Sequence, residues 1–340
     1  MIIPIFIMNR GCPHRCTFCN VRLTAGTHRE RLSEAEFRDT VQRHFESIKR
    51  QTDHIQIAFF GGNFTGMNKN DQIDLLRLAE PFIKQGLVNS VRISTRPDYI
   101  EPECLERLKA FNVTTVEIGA QSMVDNVLNL ANRGHSAADV TKAMRMLTEG
   151  GFETVVHLMA GLPGDNPSHF KDTVEKIISL KPNMVRIHPT IVFADTHLEK
   201  DYLNGNYVPL SLTEAIEICK CALIKFEEAH IPVIRLGLQT TREMETPGSI
   251  IAGPYHPAFR SLVEESFFYD MAFSLLQAER PQNKGVTFIV SPKDVSSFRG
   301  QKNRNLKKIK AYFDLADIKV LSDPHQPRRS LNIKSDNKVF

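Results

Sequence analysis

The chain has 340 residues, of which 41% are hydrophobic and 24% charged, with a formal net charge of +4. That length can bury a substantial core in one large α/β domain, or in a barrel of roughly 200–250 residues with an extension, and the composition excludes collagenous, coiled-coil and largely disordered architectures. So small a charge neither demands nor excludes an anionic partner, and no apolar run reaches the roughly 20 residues that cross a bilayer, so no membrane association is expected.

The opening run Ile2–Met8 is apolar but lacks the basic flank and cleavage site of a secretory signal, so it reads as a first β-strand. Directly after it come Cys12, Cys16 and Cys19. The other cysteines, Cys104, Cys219 and Cys221, are scattered, which is not the pattern of a secreted disulfide scaffold, and a reducing cytoplasm is expected. A capping box, Ser33 with Glu36, opens the first helix, whose apolar face is Phe37, Val41, Phe45 and Ile48. Further strands are expected at Ile55–Phe60, Ser90–Ser94, Thr114–Ile118, Thr154–Leu158 and Met184–Ile187, each followed by an amphipathic helix. A second box, Ser211 with Glu214, opens a helix striped by Leu212, Ile216, Cys219, Leu223 and Phe226. Beyond it the alternation loosens through Ile231–Leu236, a helix at Phe259–Leu276, and strands at Val286–Val290 and Ile318–Leu321.

Repeated strand–helix units require a parallel sheet with right-handed crossovers, and six of them suggest an α/β fold built on a partial (β/α)6 TIM-like barrel. The expected organisation is a barrel core at 1–190, a C-terminal α/β extension at 191–322 that completes or caps it, and a flexible tail at 323–340. Within the extension, the Gly253–Pro257 loop is a candidate cover for the open side. Each chemically distinctive segment follows a strand: the cysteines, Gly61-Gly62-Asn63, Thr95-Arg96-Pro97-Asp98, Gly119–Ser122, Gly161-Leu162-Pro163-Gly164 and His188-Pro189. In a β/α barrel such positions meet on the C-terminal rim, where active sites form.

Three thiolates spaced C-x3-C-x2-C leave one iron of a cubane cluster open to a small molecule. A structural zinc site wants four ligands, and His14 would compete within tight spacing; a redox C-x-x-C pair leaves Cys12 idle. With Phe18 just before the last cysteine, the motif resembles the signature of the radical S-adenosylmethionine (SAM) superfamily. The resemblance implies a 4Fe-4S cluster on Cys12, Cys16 and Cys19 with SAM on the open iron. It also implies reductive cleavage of SAM to methionine and a 5′-deoxyadenosyl radical, which abstracts a substrate hydrogen. On the same resemblance, Phe18, Gly61, Gly62, Asn63, Arg96, Gln121, Ser122, Leu162 and Pro163 are SAM-contacting candidates. The glycines would admit the SAM amino group to the backbone and Arg96 would pair with its carboxylate. Asn63 stands where Glu or Thr is common. The alternatives are ordinary tight turns and, for Arg96, a surface ion pair.

Gly-Ala-Gln-Ser at 119–122, Arg133-Gly134-His135, Gly-Leu-Pro-Gly at 161–164 and the Pro257–Glu264 stretch resemble the branch holding the Elongator catalytic subunit and the oxygen-independent coproporphyrinogen oxidases. Over residues 1–320 the likeness leans to Elongator, which implies action on the wobble uridine of tRNA. The Elongator acetyltransferase domain and basic N-terminal arm have no counterpart in this chain, so the complete Elongator reaction is not expected. Toward RNA the candidates are Lys302, Arg304, Lys307 and Lys308, within a basic run from Arg299 to Lys310 that has no acid between Val295 and Phe313; the alternative is a solvated helix face. His188 is a candidate for the substrate cavity and His157 a half-buried strand residue. Cys219 and Cys221 point to different helix faces and cannot share a metal. Competing functions are a radical enzyme acting on a small metabolite, a porphyrin-like molecule or a peptide, and an iron–sulfur protein without radical activity. The implied partners are a reductant such as flavodoxin or ferredoxin and tRNA, with no obligate protein partner.

Overall fold

The computed structural model describes residues 1–7, 11–20, 23, 32–47, 54–279, 285–335 and 338–339. The chain divides into two compact units, Met1–Ala215 with Ala222–Pro257, and Ile216–Cys221 with Ala258–Phe340. In chain order the elements up to residue 257 are β1 (Ile2–Phe6), α1 (Glu34–Glu46), β2 (Gln56–Phe60), α2 (Lys69–Lys84), β3 (Ser90–Thr95), α3 (Pro102–Ala110), β4 (Val113–Gln121), α4 (Asp125–Leu130), α5 (Ala137–Glu149), β5 (Glu153–Ala160), α6 (Pro167–Ser179), β6 (Met184–Pro189), β7 (Val192–Phe193), α7 (His197–Leu203), α8 (Leu212–Glu228), β8 (Val233–Leu236) and β9 (Ile250–Ala252). After them come α9 (Phe259–Glu279), β10 (Gly285–Val290), α10 (Val295–Arg299), α11 (Arg304–Tyr312), β11 (Asp317–Ser322), β12 (Leu331–Ser335) and β13 (Lys338–Val339).

In the first unit, β1, β2, β3, β4, β5, β6 and β8 pair in that order and always in parallel, forming a curled half-barrel. Pro4, which cannot donate to a ladder, sits in β1 at the edge of this sheet, where that loss is tolerated. Helices cover the sheet with the expected faces. In α1, Phe37 and Val41 are fully buried, and the Phe37 ring lies 6.3 Å from that of Phe59 in β2. Both expected capping boxes are formed, and Ser136 with Asp139 makes a third. Met8 and Ile48, assigned from sequence to the first strand and the first helix face, lie outside the described residues.

Several boundaries differ from those read in the sequence. β8 joins the barrel sheet as a seventh strand, so the first unit runs to Pro257 and not to 190. Its four residues, Val-Ile-Arg-Leu, are too few for periodicity to announce a core strand. β4 extends through Gln121 and β6 through Pro189, so Gly119–Gln121 and His188 belong to strands and not to the loops after them. The Gly253–Pro257 loop follows β9, which pairs antiparallel with β7, and its Tyr255 packs with Ile191, Phe193 and Met244.

The second unit carries its own sheet, in the order β11-β10-β12-β13, with β10 and β11 parallel and β12 antiparallel to β10. Its core gathers Phe268, Ala272 and Leu276 of α9, Phe288 of β10, Phe298 of α10, Ile309 of α11, and Leu331 and Ile333 of β12. The tail expected to be flexible after residue 322 therefore contains a core strand. The alternation Leu331-Asn-Ile333 is the period-2 signal that carries it. Among the described residues, no helix is long and apolar enough to cross a membrane. Ile333→Ala, at a fully buried position, is expected to cost about 2–4 kcal/mol in denaturant unfolding; a flexible tail would register no loss.

Candidate active site

The cysteine loop is short and strapped from all sides. Its turn is closed by Cys19 N donating to Cys16 O at 3.1 Å, and Thr17 N donates to Ala131 O at 3.1 Å. Asn132 Nδ2 donates to Arg15 O at 2.8 Å, and Leu198 N donates to Thr17 O at 2.8 Å. Cys16 is buried, Cys12 half-buried and Cys19 exposed. Crowding by the surrounding protein, followed by the charges of Cys16 and Cys12, nevertheless pushes the Cys19 thiol up to about 12. Neighbouring thiolates repel one another, so only a strongly positive group holds such a set ionised together.

The segments after β2 and β3 meet this loop through one side chain. Asn63, fully buried after Gly61 and Gly62, donates from Nδ2 to Gly11 O at 2.8 Å. Its Oδ1 accepts from Thr95 Oγ1 at 2.6 Å and from Arg96 N at 3.2 Å. The Asn63 side-chain amide is thus committed to protein partners, and its backbone carbonyl accepts from Gly66 N at 3.0 Å. Arg96 is buried, and its guanidinium forks onto Asp98 at 3.0 Å from Nε and 2.8 Å from Nη2. The fork read from the sequence as a carboxylate binder is closed on its own neighbour, and Nη1 alone is left. His14 ties this segment back to the cysteine loop: its Nε2 lies 3.8 Å from Asp98, and its ring packs where a Cβ on Gly134 would come within 2.5 Å of Nδ1. Gly134, at φ +68°, is required there both for its backbone state and for space.

Arg133 is the residue whose role the sequence did not disclose. Its Nη1 donates to Cys16 Sγ at 3.1 Å, its Nη2 to Gly119 O at 2.7 Å, and the guanidinium stands 6.0 Å from the Phe18 ring. Phe18 packs beside Val127, Ala131 and Leu162, so the Gly161–Gly164 turn reaches the cysteines through Leu162, whose side chain is core. Pro163 is half-buried in that turn. Gln121 ends β4 at φ +67°, whereas Ser122 turns away: its hydroxyl accepts from Val124 N and meets Thr173 Oγ1 at 3.3 Å. Lys302, Arg304, Lys307 and Lys308 belong to the second unit.

Inside the first unit lies a polar layer that the sequence did not announce. Glu117 of β4, fully buried, accepts from Arg92 Nη1 at 2.8 Å, Arg186 Nη2 at 3.1 Å and His157 Nε2 at 2.6 Å. Burial alone would raise its carboxyl; His157, Arg186 and Arg92 outweigh that and hold it down at about 2. Each of these charges stands alone in an apolar strand, which was the available signal. His188 donates from Nδ1 to Gly237 O at 3.1 Å, and its ring lies 5.9 Å from that of His157.

Among the described residues, the buried side-chain atoms with no partner are Thr17 Oγ1, Arg96 Nη1, Gln121 Oε1, Arg133 Nε, His135 Nδ1, Arg186 Nε and Thr190 Oγ1. All of them belong to the first unit. Buried polar atoms are ordinarily paired, so these exceptions are the candidate contacts for a polar ligand. The set mixes donors and acceptors. His135 gives Nε2 to Ala120 O at 3.2 Å, and burial, Arg133 and Arg96 press its ring down to about 4, so Nδ1 is a bare acceptor at neutral pH.

Residues 6–177 match the sequence profile of the radical SAM superfamily, and residues 182–268 that of the radical SAM C-terminal domain. The chain belongs to the radical SAM superfamily. It is 35% identical over 197 residues to the tRNA uridine(34) acetyltransferase of Methanocaldococcus infernus, across 52% of this chain and 37% of that protein. It is 26% identical over 158 residues to Elongator complex protein 3 of Homo sapiens, across 45% of this chain and 28% of that protein. The chain thus spans well under half the length of these relatives. Among solved structures, the archaeal Elp3 of M. infernus with an N-terminal deletion superposes with a TM-score of 0.59 at 22% identity, covering 82% of this chain and 63% of that one, which bears on the fold alone.

A radical SAM enzyme is thus what this chain is, and the family implies a 4Fe-4S cluster and SAM. The donor set suits such a cluster: three free cysteines on one short loop, with Arg133 Nη1 donating to the sulfur of Cys16 at 3.1 Å.

Asn63→Ala strands Gly11 O, Arg96 N and Thr95 Oγ1 in the interior, and is expected to lower stability by about 3 kcal/mol or more in denaturant titration. A second expectation concerns pH. Burial, His157 and Arg186 push His188 down to about 3, and His135 stands at about 4, against an ordinary 6.5. The unfolded chain therefore takes up protons that the fold refuses, and stability falls as pH drops below about 6.5, by up to about 1.4 kcal/mol per pH unit for each histidine. Melting curves at about pH 7 and about pH 5 check this; equal midpoints would mean that neither ring is held neutral.

Proposed function

We propose that this radical SAM enzyme holds its 4Fe-4S cluster on Cys12, Cys16 and Cys19 and acts on a uridine of tRNA. When bound, the cluster supplies the electron that cleaves SAM to methionine and a 5′-deoxyadenosyl radical. The chain's own residues do the rest. Arg133 donates to the Cys16 sulfur and so fixes where that sulfur stands. The backbone at Gly61 and Gly62 offers its carbonyls to the SAM amino group, Arg96 Nη1 is the remaining donor for its carboxylate, and Gln121 Oε1 and Thr17 Oγ1 serve the same ligand as hydrogen-bonding groups. Leu162 and Phe18 form an apolar wall that keeps water from the reacting atoms. The observation that carries the reading is the concentration of unpartnered buried polar atoms in the unit that bears the cysteine loop. The tRNA assignment is supported by the 35% identity to a tRNA uridine(34) acetyltransferase, and a one-electron donor such as flavodoxin or ferredoxin completes it.

A small anionic substrate is the second reading. It is favoured by Arg186 Nε and Thr190 Oγ1, which are unpartnered close in sequence to His188.

After anaerobic reconstitution with iron and sulfide, dithionite and SAM are expected to yield 5′-deoxyadenosine by mass spectrometry, and Cys16→Ala to yield none. An intact cluster without that product would remove the radical assignment. Arg96→Lys is expected to weaken SAM binding about 10- to 100-fold, the value of one charge-assisted hydrogen bond. Modified nucleosides in bulk tRNA, compared between a deletion strain and its parent, decide between the readings: a lost modification supports tRNA, an unchanged profile the small molecule.

A further inference from the structure

Neither family profile extends past residue 268, so the sheet of the second unit has no assigned purpose. We propose that this unit is a clamp for single-stranded RNA, in which the turn 300–303 and the face of α11 hold the phosphates and the edge strand β11 supplies the floor for the bases. The inference deepens the tRNA reading by naming how an RNA is gripped, and it is measured without cluster or SAM.

The topology comes first. β10 leads into α10, a four-residue turn Gly300-Gln301-Lys302-Asn303, then α11 and the parallel strand β11, with β12 antiparallel on the other side of β10. Two short helices joined by G-x-x-G between strands are the device with which KH modules clamp about four nucleotides of a single strand by their backbone. Here the turn reads G-x-x-N. Asn303 stands at φ +58°, ψ +36°, a left-handed state that Asn tolerates, so the backbone does at that position what the second glycine does elsewhere. Gly300 is obligatory twice over: its φ is +70°, and a Cβ would lie 2.4 Å from Glu265 Oε1.

The turn is held in shape from below. Gln301 N donates to Glu265 Oε2 at 3.1 Å, and buried Asn305 donates from Nδ2 to Glu265 O at 2.8 Å and to Phe298 O at 3.1 Å. The Glu265 charge is met by Arg304, whose Nε is 3.9 Å away. The charges carried by the turn and α11 themselves have one sign. Arg299, Lys302, Arg304, Lys307, Lys308 and Lys310 are all exposed, and no acid occurs between Val295 and Phe313. A surface of lysines alone would serve any polyanion. What selects a single strand is the adjoining edge of the sheet, where Ile318 and Val320 share the face that packs on the unit's core and stay partly exposed there. Unstacked bases can lie on such a floor, whereas a duplex hides its bases and meets the protein through phosphates alone.

The full-length protein, titrated into a short fluorescein-labelled oligoribonucleotide and into the same strand annealed to its complement, tests this by anisotropy. The single strand is expected to bind at least about tenfold more tightly than the duplex, with the salt dependence that comes from neutralising several phosphates. Gln301→Asp with Lys302→Asp is expected to weaken single-strand binding about tenfold or more, and Lys307→Ala with Lys310→Ala to flatten the salt slope by about one for each phosphate no longer neutralised. Thermal unfolding equal to the parent's shows that a variant is folded; should the loop variant melt early, the exposed helix pair decides. Equal affinity for duplex, no single-strand binding by the parent, or parent-like binding by folded variants would each overturn the proposal. Loss of 5′-deoxyadenosine formation would leave it untouched.

Discussion

Everything at the rim of the first unit depends on one buried amide. Asn63 joins the cysteine loop, the end of β2 and the end of β3 through hydrogen bonds to Gly11, Thr95 and Arg96. A parallel sheet brings its strand ends to one side, but it does not fix the loops that follow them. A side chain with both a donor and an acceptor can reach two loops at once, which a carboxylate or a hydroxyl in that buried position would do less completely. Arg133 repeats the device on the other flank, giving one nitrogen to Cys16 and one to Gly119. Between them the cysteines are positioned by hydrogen bonds from the protein itself.

Beneath that rim the barrel interior is ionic where a parallel sheet is ordinarily apolar. Glu117 is surrounded by Arg92, Arg186 and His157, with Gln56 bonded to Arg92 and to the hydroxyls of Ser90 and Thr115. Buried ion pairs contribute little net stability compared with well-packed apolar groups, because desolvation offsets their attraction. Such a layer is retained for what it positions. Here it fixes Arg186 and His157 on Glu117, with the His188 ring beside that of His157.

Much of this was legible in the residues. The cysteine spacing, the strand–helix alternation and the capping boxes at Ser33 and Ser211 rest on local rules, and the fold obeys them. What escaped was non-local. β8 is too short to display a period, and its membership of the sheet comes from pairing with β6. Leu331 and Ile333 alternate as a strand should, but in a polar, proline-containing setting that suggests a tail. Arg96 shows the limit most clearly: its residue type suits a carboxylate, and the structure supplies one two residues away in Asp98. No spacing rule reveals which of two carboxylates an arginine will take.

That closed fork separates the two units in their response to the medium. At Arg96 the guanidinium is already half-neutralised and buried, so a ligand carboxylate meeting Nη1 gains a directed hydrogen bond and little long-range attraction, and its affinity changes little with ionic strength. The lysines of α11 are the opposite case, exposed and in a run with no acid between Val295 and Phe313, and the attraction of such charges for phosphates fades as counterions accumulate. Raising the salt would therefore loosen a polymeric partner while leaving a small ligand of the rim in place.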